Sequence, residues 1–366
     1  MNPAPTPIRL LVLEGDGIGP EITAATLEVL SAANSALGLQ LAFERADIGL
    51  KALRAQGTTL PDAVVQAAKA ADGVILGPVS HNAYPPVDRG GRNPSGELRK
   101  QLDLYANIRP ARSRAGFPPR CGKPVDLVIV RENTEGFYSD RSMFLGHGEF
   151  MPTPDLALSL RKITRQGSTR IAEQAFALAM RRRRKITAVH KANVLRVSDG
   201  LYLECVRAVA KRFPDVAYEE QIIDAMAALL VRDASLFDVI VTTNMFGDIL
   251  SDEASEISGS LGLAASLNAG TDHALAQAQH GSAPDLAGKD IANPASLIGS
   301  AAMLLGWLGE RRRDNRLLRA AEAIEQALDA VIAMAAWRTA DLGGPLGTKA
   351  FGGRVAAAVT RIAAGG

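Results

Sequence analysis

At 366 residues the chain exceeds the usual ceiling for one hydrophobic core, so two domains are expected. Its 47% hydrophobic and 22% charged residues are those of an ordinary globular protein, and a net charge of +2 gives no argument for a nucleic-acid or membrane partner. Two cysteines, Cys121 and Cys205, make neither a disulfide framework nor a zinc site, which fits a reducing cytoplasm. The opening "MNPAPTPIRLLVLEG" lacks a basic segment followed by a long apolar stretch, so no secretory signal is expected. No window approaches the roughly eighteen uninterrupted apolar residues of a membrane span.

In chain order, "IRLLVLEG" (8–15) reads as a buried strand, and "EITAATLEVLSAANSALG" (21–38) follows with helical spacing. "ADGVILGPV" (71–79), "DLVIVREN" (126–133), "KITAVHKAN" (185–193) and "FDVIVTTN" (237–244) are further buried-strand candidates. "RRRRK" (181–185) closes a helix before a strand and reads as a solvated basic helix end. "SDGLYLECVRAVAKRF" (198–213) reads as a helix with Ser198 as its N-cap. After residue 295 the chain turns helical and Ala-rich. Strands alternating with helices predict a mixed α/β architecture with a largely parallel core.

"GDGIGPE" (15–21) lies between a strand and a helix, with Glu44 at the end of the next strand. It is not a dinucleotide fingerprint, because the third glycine would fall at Pro20. A tight turn near a ligand is the inference that remains. Arg99, Arg109 and Arg131 each sit at an element boundary. Since arginine binds carboxylate through two parallel hydrogen bonds, three converging on one pocket would suit a di- or tricarboxylic acid. Tyr138 and Lys191 also follow strand ends and are a possible general acid and an amine that loses its proton easily beside a cation. In "VTTNMFGDILSDEAS" (241–255), a helix starting near Gly247 presents Asp248 and Asp252 on one face. Solvent or a divalent cation would offset that pair of like charges.

Together these segments resemble the isocitrate/isopropylmalate family of β-decarboxylating dehydrogenases. The resemblance runs over nearly the whole chain, through "GDGIGPE", "LRKQLDLYANIRPA", "RENTEGFY", "HKANVL", "IIDAMAALLV", "NMFGDILSDEAS", "GSLGLA", "HGSAPDLAGKDIANP" and "DLGG". It implies oxidation of a 2-hydroxy acid by a nicotinamide cofactor, then loss of the carboxylate on C3. It also implies the family's own two-domain α/β fold rather than a Rossmann fold, with residues 1–104 plus 257–366 on the cofactor side. Residues 105–256 would form the substrate, metal and dimerisation domain. Carried over position by position, Arg99, Arg109 and Arg131 resemble the clamp on the malate moiety. Tyr138 resembles the acid that protonates the enol, and Lys191 the general base, with Asn193 following it in the same motif. Asp224, Asp248 and Asp252 resemble the carboxylates around Mg²⁺ or Mn²⁺, a cation that acidifies the hydroxyl and stabilises the enolate. In a homodimer with shared sites, Lys191 and Asp224 would serve the partner subunit.

The 280–294 loop resembles the family's cofactor loop, which implies contacts from His280, Gly281, Ser282, Ala283, Asp285 and Asn293. Asp285 and Leu286 stand where NADP-dependent relatives carry a basic residue and a tyrosine. A carboxylate accepts from both adenosine ribose hydroxyls and repels a 2′-phosphate, so NAD⁺ is implied. Two departures lie nearby: the "EPVHG" of many relatives is "QAQHG", with Gln277 for the glutamate, and a proline common after "GLA" is Ala265. The residues that read the C3 group are "GGRNPSGELR" (90–99), where Asn93 and Ser95 are hydrogen-bonding and isopropylmalate enzymes carry apolar residues. This leans towards isocitrate or homoisocitrate, with 3-isopropylmalate and tartrate or D-malate as alternatives. A catalytically silent regulatory subunit is the non-enzymatic alternative, and the presence of Tyr138, Lys191, Asp224, Asp248 and Asp252 argues against it. The NAD-like loop argues against a metal-dependent hydrolase.

Overall fold

The computed structural model describes residues 7–138, 143 and 148–365. Its strands are β1 (Ile8–Leu13), β2 (Leu41–Arg45), β3 (Gly73–Leu76), β4 (Ala106–Arg112), β5 (Asp126–Glu132) and β6 (Glu149–Thr153). These are followed by β7 (Leu156–Ser159), β8 (Lys185–His190), β9 (Ala217–Ile222), β10 (Val239–Thr242), β11 (Leu267–Ala269) and β12 (Ala274–Gln277). The helices are α1 (Gly19–Leu37), α2 (Gly49–Gln56), α3 (Asp62–Ala70), α4 (Pro94–Gln101), α5 (Arg165–Met180) and α6 (Ser198–Ala210). The remainder are α7 (Ile223–Asp233), α8 (Asn244–Ser258), α9 (Ala295–Arg312), α10 (Asn315–Ala333) and α11 (Thr348–Ala363). No helix among the described residues is long and apolar enough to cross a membrane.

One ten-stranded sheet runs in the order β2-β1-β3-β12-β11-β4-β5-β10-β8-β9. Both flanks are parallel, as the alternation of strands and helices predicts. The centre is not: β12–β11, β11–β4 and β4–β5 pair antiparallel. The sheet is therefore mixed, and the antiparallel centre has no signal in the sequence because the three- and four-residue strands β11 and β12 are too short to show a period.

The buried strands are apolar on both faces, and alternate residues enter different cores. Leu10 and Val12 of β1 pack with α1, α9, α10 and α11 through Ile22, Leu30, Leu305, Ile324 and Phe351. Leu11 and Leu13 pack on the other face with Val64, Val65 and Leu98. In the same way Val128 and Val130 of β5 join Phe176, Tyr202 and Val206, whereas Leu127 and Ile129 join Met226, Leu230 and Leu250. Each such side chain contributes about 1.5–3 kcal/mol through burial. The result is a rigid sheet with α8 lying over β4 and β5, which positions the site.

Two local expectations are corrected. Ser198 is the first residue of α6 rather than its cap; Val197 is the N-cap, and Ser198 Oγ accepts from Arg161 instead. The basic run after α5 is not simply solvated. Arg181 pairs with Glu310, and Arg182 with Asp126 and Asp238, so the run ties neighbouring elements of this chain together.

Candidate active site

β4 and β5 pair antiparallel with Arg109 opposite Ile129, which puts Arg109 and Arg131 on one face as diagonal neighbours. Both guanidiniums are buried, and both donate to Asp248 Oδ1, Arg109 Nη1 at 3.0 Å. Helix α8 can come this close because residue 247 is glycine. A Cβ there would stand 2.7 Å from Arg131 Cβ and Cγ. Arg131 is further held by Asn244 Oδ1, which accepts from Nε at 3.0 Å and from Nη2 at 2.6 Å. Tyr138 donates to Asp248 Oδ2 at 3.3 Å, under the Arg131 guanidinium 5.7 Å from its ring centroid. Asp252, one turn on, lies 3.6 Å from Arg109 Nη1 and is half exposed.

Electrostatics fix the charge state. Burial opposes ionisation of Asp248, but Arg131, Arg109 and Arg99 outweigh it and hold the carboxyl below its ordinary value. Burial and the neighbouring Arg131 push Arg109 down to about 10, partly offset by Asp248 and Asp252, so it stays charged near neutrality. Two carboxylates on one helical face, backed by two buried guanidiniums, are hard oxygen donors suited to a divalent cation completed by substrate oxygens.

Arg99 comes to this cluster from α4. Its Nη2 donates at 3.2 Å to Gln277 Oε1, which also accepts from Ser95 Oγ at 3.0 Å. The departure at 277 thus receives both hydrogen bonds of an i, i+4 pair. Ser95 is buried beside it. Asn93 has a structural role: it is the N-cap of α4, and its Oδ1 accepts from Gly96 N at 3.2 Å.

Lys191 and Asp224 stand apart. They form an ion pair at the C-terminal end of β8 and the N-terminus of α7, and its hydrogen bond keeps Asp224 below its ordinary value. No described contact joins this pair to Asp248 or Asp252. Among the described residues no three His, Cys, Asp or Glu side chains form a set able to hold a metal ion. Within one chain, then, Asp248 and Asp252 are brought together without Asp224. Asn193 is exposed on the turn after β8. The sequence reading missed Asp199. Buried at the start of α6, it accepts from Lys191 N at 2.6 Å and pairs with Arg161, which sets the path of the Lys191 turn. Its signal was an aspartate in the first turn of a helix otherwise apolar on that side.

The glycine turn answers to the cofactor loop. Gly17, at φ +57°, lies so near that a Cβ would meet Ser282 O at 2.0 Å, and Ile18 N donates to that oxygen at 2.9 Å. Ser80 and Ser282 hydroxyls lie 2.7 Å apart. Ala283 holds a left-handed φ of +36°, and Asp285 is exposed on the loop. Asn293 donates to Asp341 Oδ2 at 3.0 Å and accepts from Ala295 N at 2.9 Å, which joins "DLGG" to the start of α9. His280 Nδ1 lies 3.0 Å from Gly281 O, and Nε2 is buried with no hydrogen-bond partner among the described residues. Gly281 is exposed beside it, and Ala265 packs against Gly299 of α9.

The profile of the family described as "Isocitrate/isopropylmalate dehydrogenase" matches residues 9–355. The chain belongs to that family. It is 41% identical over 333 residues to a 3-isopropylmalate dehydrogenase of Sulfurisphaera tokodaii, covering 91% of this chain and 94% of the relative. It is 42% identical over 346 residues to an isocitrate/homoisocitrate dehydrogenase of Thermus thermophilus, covering 94% and 96%. The fold superposes on the isocitrate dehydrogenase of Methylococcus capsulatus with a TM-score of 0.85 at 40% identity, over 96% of this chain and 99% of that one. As a member of the isocitrate/isopropylmalate dehydrogenase family, the protein is a dehydrogenase that oxidises a hydroxy acid with decarboxylation. The family is in general NAD(P)-dependent and divalent-metal-dependent.

Proposed function

We propose that the protein oxidises a 3-substituted malate with NAD⁺ and releases CO₂, favouring a polar C3 group of the isocitrate or homoisocitrate kind. The observation that carries this reading is the junction of Arg109, Arg131, Tyr138 and Asp248 at one point of the sheet, with Asp252 one turn away. Arg109 and Arg131, reached by Arg99 from α4, would take the two carboxylates of the malate moiety as bidentate partners. Tyr138, whose hydroxyl already faces a carboxylate, would deliver a proton to the carbon freed by loss of CO₂. Asp248 and Asp252 would hold Mg²⁺ or Mn²⁺, which supplies charge stabilisation at the C2 oxygen. Asp285, exposed on the cofactor loop, favours a free ribose over a 2′-phosphate and so NAD⁺ over NADP⁺.

Lys191 and Asp224 would complete the site of a second copy, in a homodimer. This is supported by their pairing with each other, while Asp248 is held by Arg109, Arg131 and Tyr138. Exposed apolar side chains on the β6–β7 hairpin, Phe150, Met151, Leu156 and Leu158, also favour a second chain. The division into residues 1–104 with 257–366 and residues 105–256 is supported by the four buried clusters, which group along that line except for Ile257, at the end of α8, which packs with the 105–256 side. A polar C3 group is favoured because Ser95 and Gln277 place buried hydrogen-bonding groups beside Arg99, and a polar substituent can share those hydrogen bonds whereas an isopropyl group cannot. The second reading, 3-isopropylmalate as substrate, is favoured by the relative of that name. NADH formation with Mg²⁺ and a panel of 3-substituted malates tests both. Highest kcat/KM on isocitrate or homoisocitrate supports the proposal. A preference for 3-isopropylmalate overturns the substrate, and no NADH with any member points to a silent subunit.

A further inference from the structure

The departure "QAQHG" contains a second polar residue where "EPVHG" relatives have an apolar one, at Gln279. Its backbone N–H donates to Ser296 Oγ at 3.2 Å, which anchors it to the buried first turn of α9. Its side chain crosses to α8, where Nε2 donates to Asp252 Oδ1 at 2.7 Å and to Ser255 Oγ at 3.3 Å. Reversing the amide would set Oε1 against the carboxylate, so the donor orientation is the one with a stable partner. The other end of the amide has a cost. Oε1 is buried without a hydrogen-bond partner among the described residues, and a charge-assisted bond to Asp252 is what offsets this.

We infer that Gln279 is a positioning residue for Asp252, fixing the carboxylate for the cation and tying the metal face of α8 to the start of the cofactor loop. The inference rests on the proposed metal role of Asp252. Asp248 is held by Arg109, Arg131 and Tyr138, but Asp252 has a weaker framework. Among the described residues its ion-pair partner is Arg109 at 3.6 Å, and more than half of the side chain is exposed. Without a fixed donor, an exposed Asp samples several rotamers and must give up that freedom on binding metal. Gln279 spends that ordering in advance through Oδ1. Partners that orient a ligating carboxylate are commonly worth about ten- to a hundredfold in metal affinity. Because many relatives carry an apolar residue at this position, the lower end of that range applies here.

The test is titration of Mn²⁺ into the full-length protein, without substrate, by calorimetry or by the loss of the free-ion spin-resonance signal. Gln279→Met keeps the length of the side chain and removes its donors, and Gln279→Leu repeats the change should the first variant fold poorly. Each should weaken Mn²⁺ binding about tenfold. In an Asp252→Asn background the same change should have no further effect, because the amide acts through that carboxylate alone. Wild-type Mn²⁺ affinity in Gln279→Met, or an equal tenfold loss in the Asp252→Asn background, overturns the positioning role while leaving the metal site intact. If the wild-type protein binds no Mn²⁺ and Asp252→Asn changes nothing, the metal reading falls and this inference falls with it.

Discussion

Gly247→Ala probes the packing on which the whole site depends. The new methyl group would sit 2.7 Å from Arg131 Cβ and Cγ and 3.2 Å from its Cα. Arg131 cannot swing away: it is buried, and its guanidinium is held by Asn244 and Asp248. The backbone of β5 is fixed between β4 and β10. Helix α8 must therefore retreat by some tenths of an ångström. Alanine for glycine in a helix interior gains about 1 kcal/mol of propensity, and overpacking costs about 1–3 kcal/mol. The net loss of stability is about 0–2 kcal/mol, so the variant folds. The site pays more, because Asp248 and Asp252 travel with the helix, and a misplacement near 1 Å can cost roughly a hundredfold. We expect kcat/KM to fall at least about tenfold with the preferred substrate, alongside a small shift in chemical denaturation. An alanine variant with unchanged kinetics and higher stability would refute this account of how α8 is seated.

Asp248→Asn should weaken Mn²⁺ binding at least about tenfold while NAD⁺ affinity, read by fluorescence, stays within about twofold, because it alters α8 and leaves the cofactor loop intact; equal loss of both would contradict the assignment. Ser95→Leu should shift the kcat/KM ratio towards 3-isopropylmalate by roughly tenfold, the scale of one such contact in a pocket, and a flat ratio would remove Ser95 from substrate reading. His280 is held below its ordinary value chiefly by burial, with Gly281 and Asp341 opposing, and burial does the same to His190. The unfolded chain then takes up these protons first, so their contribution to stability is present above about pH 6.5 and is lost as pH falls below it through the folded values. Melting temperature should drop on going from pH 7 to pH 5.5, by less in His280→Gln than in wild type, and parallel curves would show that His280 is not the source.

Much of the chemistry was legible in the sequence because it is local. Short runs of Leu, Ile and Val bounded by polar residues read as strands buried on both faces, and β1, β5 and β10 are where such runs stand. Asp248 and Asp252 share a face because 3.6 residues make a turn, whatever surrounds them. What the sequence left open depends on pairs far apart in the chain. That β4 and β5 run antiparallel, which sets Arg109 diagonal to Arg131, follows from the assembled sheet. The roles of Asn93 as a cap, Asp199 as a buried partner of Arg161, and Gln277 as joint acceptor for Ser95 and Arg99 follow from who stands within 3 Å or so of whom. Residue types and local periods determined which groups are present and which helix or strand carries them. Only tertiary structure decided which charges meet, because hydrogen bonds and ion pairs act over a few ångströms while the residues that make them lie far apart in the chain, 139 positions for Arg109 and Asp248 and 117 for Arg131 and Asp248.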